Sequence, residues 1–269
     1  MNNINYGYRI NQIKEGSGYN WLFLPGGPGL GSEYLIEFCK KLNLPGNILL
    51  LDFPKDGTNT NGELGIKFWQ DGLISLLKTY NNPILITHSF GGMFSLNMPE
   101  IEKHLAGLVL MNTTTENSFF QHVSEMQQKH GLPDLVPDAT VYHLTPSDHT
   151  YRQFWHTYKY YCFTAEEMQK GEQMMQHLAF NNAAYYEAIQ HFYPDYICKW
   201  SPASIPAMTI ASENDFICPP RIFIDNEQFQ SKNVLNKLIA KAGHCPWLNH
   251  FEEVQNCFDE FMNFIQSKT

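Results

Sequence analysis

Short, continuous apolar runs alternate with amphipathic stretches over the first part of the chain. The runs end at Gly, Pro, Asp, Ser or Thr and read NWLFLPGG, NILLLDF, PILITHS and AGLVLMNT. Continuous runs of this length are typical of parallel strands buried on both faces. Between two of them, apolar residues recur at the spacing of one helix face, at Ile66, Trp69, Leu73, Leu76 and Leu77. This alternation predicts a doubly wound, mostly parallel sheet.

From about residue 116 to about residue 200 the pattern is helical. The segment is rich in Tyr, Phe, His, Gln and Met and contains no convincing strand. Strand-like runs return with PAMTIASEND and NVLNKLIAKAG, and FEEVQNCFDEFMNFI forms a last amphipathic helix. We therefore predict an α/β core over residues 1–115 and 201–269, with residues 116–200 inserted as a helical cap.

Composition excludes several classes of protein. The chain has 269 residues, 43% of them hydrophobic, which suffices for one large core. A net charge of −9 without a basic stripe argues against a nucleic-acid partner. The six cysteines form no C-x-x-C pair, and no apolar run could span a membrane or serve as a signal peptide. We expect a cytoplasmic protein with reduced thiols and no membrane span, whose oligomeric state the sequence leaves open.

The residues that could take part in a reaction lie at the strand ends. In open parallel sheets, ligands bind where the carboxyl ends of the strands meet. Ser89 follows PILITH, Asp215 follows PAMTIASEN, and His244 follows NVLNKLIAKAG, while NWLFL runs into a loop with the sequence PGGPG. A serine, an acid, a histidine and a glycine-rich loop are thus predicted at one edge of the sheet.

This combination is what an acyl transfer reaction needs. A serine hydroxyl is a weak nucleophile until an imidazole takes its proton, and a carboxylate orients that imidazole. Glu213 and Asp225 compete with Asp215 for the acid's role, but Asp215 stands just past the strand. Backbone amides of Phe90 and of the Gly26-Gly27 turn could stabilise the oxyanion.

The order Ser, Asp, His, with a glycine-rich loop after an earlier strand, resembles the α/β-hydrolase fold. Within that superfamily, GGPG is similar to the H-G-G-P-G loop of prolyl iminopeptidases. The resemblance implies that Ser89 is the nucleophile, Asp215 the acid and His244 the base, with oxyanion donors at Gly27 and Phe90. It also implies a cap inserted after the sixth strand, and a small-molecule or short-peptide substrate.

Two positions depart from the family pattern. Thr87 stands where G-x-S-x-G has its first glycine, and Pro25 stands where H-G-G-P-G has its histidine. We expect a slightly altered turn with the nucleophile retained, and packing beneath the turn for His88. No histidine belongs to an H-x-x-x-H or H-E-x-x-H pattern, and the glycine loop lacks G-K-[ST], so we expect no metal and no cofactor.

Three functions remain open at this stage. The first is a prolyl iminopeptidase-like serine hydrolase that cleaves a small ester, an amide or an N-terminal aminoacyl bond. Its family binds the free amino terminus through acidic cap residues, for which the chain offers Glu166, Glu167, Glu172 and Glu187. The second is a carboxylesterase or thioesterase, and the third is a catalytically silent binding protein of the same fold.

Overall fold

A single mixed sheet runs through the computed structural model, which describes residues 3–117 and 119–268. Within these ranges the strands are β1 (Asn3–Asn5), β2 (Tyr8–Lys14), β3 (Asn20–Leu24), β4 (Asn47–Asp52), β5 (Pro83–His88), β6 (Gly107–Met111), β7 (Ala207–Ser212) and β8 (Val234–Ile239). Their order across the sheet is β1-β2-β4-β3-β5-β6-β7-β8. β2 pairs antiparallel with β1 and β4, and all remaining pairs are parallel. The predicted fold class is therefore confirmed.

The helices of the described residues follow in chain order. They are α1 (Ile36–Lys41), α2 (Ile66–Leu77), α3 (Phe90–Leu96), α4 (Phe119–His130), α5 (Val136–Leu144), α6 (Asp148–Cys162), α7 (Met168–Met175), α8 (Asn182–His191), α9 (Arg221–Ile224) and α10 (Phe251–Gln266). Helices α4 to α8 all lie between β6 and β7 in the chain. None of the helices in the described part of the chain has the length and apolar character needed to cross a bilayer.

The sheet separates two hydrophobic clusters because successive strand residues point to opposite faces. In β3, Trp21 and Phe23 pack in a cluster with Phe258 of α10. Leu22 and Leu24 belong to a cluster with Trp69 of α2 on the other face. All five residues of β3 are buried, which explains the continuous apolar run in the sequence.

Strand register brings several strand ends to one edge. Leu24 of β3 pairs with Thr87 of β5, and His88 pairs with Met111 at the end of β6. The residues just past these strands therefore emerge side by side, beneath the cap.

The cap is joined to the loop after β3 by hydrogen bonds. Tyr151 donates its hydroxyl to the carbonyl of Pro28 at 2.7 Å, and Tyr193 donates to the carbonyl of Gly27 at 2.9 Å. The amide of Asn181 donates to the carbonyl of Gly29 at 2.6 Å. These contacts fix the glycine loop between the sheet and the cap.

Candidate active site

Ser89 occupies a sharp turn between β5 and α3. Its backbone has φ 51° and ψ −119°, a region that residues other than glycine rarely adopt. The turn is held by the Ser89 amide, which donates to the carbonyl of Met111 at 3.0 Å, and by Thr113, whose hydroxyl donates to the carbonyl of Ser89 at 2.7 Å. A strained serine at this place is typical of an exposed nucleophile between a strand and a helix.

Gly91 and Thr87 show why the turn tolerates one departure from the glycine pattern. A Cβ at Gly91 would lie 2.6 Å from the carbonyl oxygen of Pro25 and 2.7 Å from that of Leu24, so the position requires glycine. Thr87, by contrast, is fully buried, and its hydroxyl donates to the carbonyl of Val109 on the neighbouring strand at 3.1 Å. The extra side chain at Thr87 is therefore accommodated within the sheet.

Asp215 and His244 are hydrogen-bonded to each other in the core. Asp215 Oδ2 and His244 Nδ1 lie 2.8 Å apart, and both side chains are buried. The other oxygen of Asp215 accepts the amides of Ile217 at 3.0 Å and Cys218 at 2.9 Å. A carboxylate held in this way fixes the imidazole orientation and leaves Nε2 as the basic nitrogen.

Asn112, which the sequence pattern did not single out, is a further partner of this carboxylate. It follows β6, is buried, and donates its side-chain amide to Asp215 Oδ2 at 2.9 Å. The two rival acids lie elsewhere: Glu213 is exposed and accepts the amide of Lys241, and Asp225 is exposed after α9. The structure thus places Asp215, and neither rival, against His244.

Ser89 and His244 line the same small cavity, which we call the catalytic pocket. Gly26 and Gly27 form one wall of it, and Trp155 and Met175 of the cap form part of another. Its volume is about 30 Å³. No hydrogen bond joins the Ser89 hydroxyl to His244 in this structure.

The two candidate oxyanion donors lie beside Ser89. Phe90 is the first residue of α3, and the first amides of a helix have no partner within the helix. Gly27 has φ 111°, a conformation that favours glycine, and lines the catalytic pocket. Two residues further along the loop, the amide of Gly29 donates to the buried carboxyl of Asp56, and this hydrogen bond holds the loop in place.

His88 links the glycine loop to the loop that carries His244, which we call the histidine loop, through buried hydrogen bonds. Its Nε2 lies 3.0 Å from the carbonyl oxygen of His244, so this nitrogen must carry the proton. Its Nδ1 then accepts from the hydroxyl of Tyr34 at 2.8 Å, and that hydroxyl accepts the amide of Gly26 at 2.6 Å. Burial, together with the nearby His244, lowers the pKa of His88 well below its usual value and keeps the ring neutral. The sequence left His88 either touching the site or, as the preferred expectation, packing beneath the turn, and its position before Ser89 was the signal.

A larger cavity of about 430 Å³ lies within the cap, and we call it the aromatic cavity. It shares Gly27 and Trp155 with the catalytic pocket, so the two spaces adjoin. Its aromatic lining consists of Tyr142, Tyr151, Phe154, Trp155, Tyr158, Tyr185, Tyr186 and Tyr193. The carboxylate that lines it within the described ranges is the exposed Asp134. The cavity is suited to an apolar group.

The acidic cap residues proposed from the resemblance lie outside both cavities. Glu167 is fully buried and accepts the amides of Thr164 at 3.0 Å and Gly243 at 3.1 Å. Glu172 forms an ion pair with Lys159, Glu187 accepts the amide of Ile66 at 3.2 Å, and Glu166 is exposed. Glu167 therefore supports the loop that carries His244.

One group of side chains in the described ranges brings potential metal-binding atoms together. The ligand atoms of Asp215, Cys218 and His244 lie within 4.8 Å of one another. However, both oxygens of Asp215 already accept hydrogen bonds. Burial, reinforced by Asp215, raises the pKa of the Cys218 thiol well above its usual value, so the thiol stays protonated. The donor set therefore fits the hydrogen-bonded pair of Asp215 and His244 better than a metal.

Solved structures with similar backbones span nearly the whole chain. A proline iminopeptidase-related protein from Thermus thermophilus superposes with a TM-score of 0.72 at 15% identity, covering 96% of this chain and 94% of its own. An alpha/beta fold family hydrolase from Bacillus anthracis str. Sterne gives 0.75 at 12% identity, with 97% and 99% covered. A proline iminopeptidase from Mycobacterium smegmatis gives 0.67 at 15% identity, with 97% and 96% covered. These identities support the fold alone.

The sequence itself matches none of the curated proteins. The family model described as "Alpha/beta hydrolase family" matches residues 21–255, which include β3 from its second residue, the strands β4 to β8, the cap and all the candidate site residues. The chain therefore belongs to the alpha/beta hydrolase family.

Proposed function

We propose that this protein is a serine hydrolase that works through an acyl-enzyme. The observation that carries the proposal is the buried Asp215–His244 hydrogen bond at 2.8 Å, next to a pocket that His244 shares with the strained Ser89. Among the functions open to this fold, acyl transfer uses each of these three groups.

The proposed reaction has two halves. His244 Nε2 takes the proton of the Ser89 hydroxyl as its oxygen attacks the substrate carbonyl. The oxyanion is stabilised by the amides of Gly27 and Phe90, and His244 returns the proton to the leaving group as the acyl-enzyme forms. Water, deprotonated by His244, then attacks the acyl carbon, and Ser89 leaves with its proton restored.

We infer that the substrate is a small carboxylic ester or thioester with an apolar part. The aromatic cavity next to Gly27 supplies the space for that part. An N-terminal aminoacyl substrate is the second candidate, supported by the GGPG loop and by the likeness to proline iminopeptidases. It ranks second because Glu166, Glu167, Glu172 and Glu187 lie outside both cavities, which leaves Asp134 to receive an ammonium group.

Parallel assays of p-nitrophenyl butanoate and proline-β-naphthylamide test this proposal. We expect hydrolysis of the ester by the native protein, loss of at least about a thousandfold in Ser89→Ala, and no change in Ser75→Ala, a half-buried serine of α2 outside both cavities. Faster cleavage of the naphthylamide would reverse the ranking of the two substrates. Ester cleavage that survives Ser89→Ala contradicts the role of Ser89 as the nucleophile. Cleavage of neither compound contradicts the hydrolase mechanism and favours a silent binding protein.

A further inference from the structure

A cleft with cationic side chains opens on the cap between α6 and α7. Its volume is about 340 Å³, and we call it the basic cleft. Arg152, His156 and Lys159 lie at helical spacing on one face of α6. They line the cleft together with Glu172, Met175, Gln176 and Phe180. The lining of the cleft thus combines basic side chains with the apolar side chains of Met175 and Phe180.

The charges in this cleft are not balanced. Lys159 forms an ion pair with Glu172, and the two side chains are 14% and 47% exposed. Arg152 donates to the carbonyl of Leu178 at 2.9 Å, and its guanidinium lies 4.2 Å from the centre of the Phe180 ring. Arg152 therefore keeps its full charge without a carboxylate partner among the residues lining the cleft. The chain as a whole has a net charge of −9, whereas the cleft is locally basic, so the cleft is a favourable place for an anion.

The basic cleft adjoins the catalytic pocket. Met175 lines both spaces, and Leu178, whose carbonyl holds Arg152, lines the catalytic pocket. An anion in the cleft therefore lies in a space that borders the catalytic pocket at Met175. This places it close enough to belong to the molecule that reacts at Ser89.

We propose, on the basis of the proposed function, that the basic cleft binds a carboxylate or phosphate carried by the substrate. Arg152 and Lys159 provide charge-assisted hydrogen bonds to it, which both groups accept well. Lys159 exchanges Glu172 for the substrate's anion, so Glu172 competes with the substrate. The substrate class is an anionic ester or thioester, with its apolar part in the aromatic cavity.

Two single substitutions in the Lys159–Glu172 pair test this inference because they have opposite expected effects. Each variant is assayed with p-nitrophenyl hemiglutarate against p-nitrophenyl pentanoate, and with 3-carboxyphenyl butanoate against phenyl butanoate. The first pair places the charge in the acyl part and the second in the leaving group. For each pair the measured quantity is the ratio of kcat/KM for the anionic ester to that for the neutral one.

Lys159→Gln is expected to lower this ratio on the order of tenfold, the usual effect of losing one charge-assisted hydrogen bond. Glu172→Gln is expected to raise it several-fold, and Lys159→Arg to preserve it. Lys67→Gln makes the same charge change at an exposed pair with Asp71 on α2 and is expected to have no effect. Inhibition of neutral ester hydrolysis by phenyl phosphate and by benzoate then distinguishes phosphate from carboxylate.

The outcomes separate this site from the proposed function. Opposite changes of the ratio in Lys159→Gln and Glu172→Gln support the site. Unchanged ratios for both pairs, with Ser89-dependent hydrolysis of the neutral ester intact, overturn the site and leave the function standing. If no ester is cleaved, calorimetry with glutarate and phenyl phosphate decides: binding weakened by Lys159→Gln supports the site without the function. Absence of binding overturns it.

Discussion

His88 Nε2 donates a hydrogen bond of 3.0 Å to the backbone carbonyl of His244, from the residue directly before Ser89. The side chain of His88 thus connects the backbone next to the candidate nucleophile with the backbone of the candidate base. Tyr34 extends this connection to the amide of Gly26, so one buried set of hydrogen bonds positions the histidine loop and the glycine loop together.

His88→Phe tests the importance of this connection. Phenylalanine can keep the contact with the Trp247 ring, whose centroid lies 5.0 Å away, but it leaves the His244 carbonyl without a donor and the Tyr34 hydroxyl without an acceptor. We expect the free energy of unfolding to fall by about 1–3 kcal/mol and kcat for a neutral ester to fall roughly tenfold, with KM little changed. Tyr34→Phe is the milder control. An unchanged kcat in His88→Phe contradicts a positioning role.

Asn112 is expected to matter through the charge of Asp215. Asn112→Asp places a second carboxyl beside a buried one, which raises the pKa of the pair and disturbs the Asp215–His244 hydrogen bond. We expect kcat to fall by roughly a hundredfold or more at neutral pH. Asn112→Gly, which suits the backbone φ of 45°, is the matched control and is expected to cost roughly tenfold. Equal activities of the two variants rule out the electrostatic explanation.

Thr87 is expected to stabilise the sheet without taking part in the reaction. Thr87→Val removes the hydroxyl that bonds the Val109 carbonyl and is expected to lower the free energy of unfolding by about 1 kcal/mol. Thr87→Gly restores the family pattern but also removes a buried side chain from a strand, so its cost is expected to be larger. Urea unfolding and ester hydrolysis of both variants test this. A gain of activity in Thr87→Gly indicates that the threonine impairs the turn.

Asp56 is expected to make stability depend on pH. Burial, with the nearby Asp52, raises its pKa to about 8, whereas an aspartate in an unfolded chain titrates near pH 4. Between these values the folded protein holds a proton that the unfolded chain has lost. The stabilisation is therefore complete below about pH 4 and is lost as the pH rises towards 8.

Urea unfolding of the native protein and of Asp56→Asn measures this effect. Relative to the variant, which does not titrate, the native protein is expected to lose about 3 kcal/mol between pH 5 and pH 8. Parallel curves for the two proteins contradict the raised pKa.

The sequence predicts the parallel strands well because each is buried on both faces and therefore reads as a continuous apolar run. β2 is different: only Tyr8 and Ile10 are buried in YRINQIK, and this short, half-polar pattern did not indicate a strand. The edge formed by β1 and β2 emerges only from pairing with β4, a contact between distant parts of the chain.

The sequence likewise predicts one part of the candidate site and gives no signal for the other. Ser89, Asp215 and His244 could be singled out because each lies in the segment that follows a strand, and the structure brings them to one edge; their catalytic roles stay predictions. The His88–Tyr34 hydrogen bond joins residues 54 positions apart, and no local pattern signals it. Glu167 could not be recognised as a support for Gly243 either, since helical acids are usually exposed.

Reaction with a fluorophosphonate tests the central claim most directly, because the reagent needs an activated nucleophile and no particular substrate. The labelled protein is digested and the adduct is mapped by mass spectrometry, in the native protein, in Ser89→Ala and in His244→Gln. We predict one adduct on Ser89 of the native protein, none at that position in Ser89→Ala, and strongly slowed labelling in His244→Gln. A folded native protein that forms no adduct, or forms it on another residue, contradicts the assignment of Ser89 as the nucleophile.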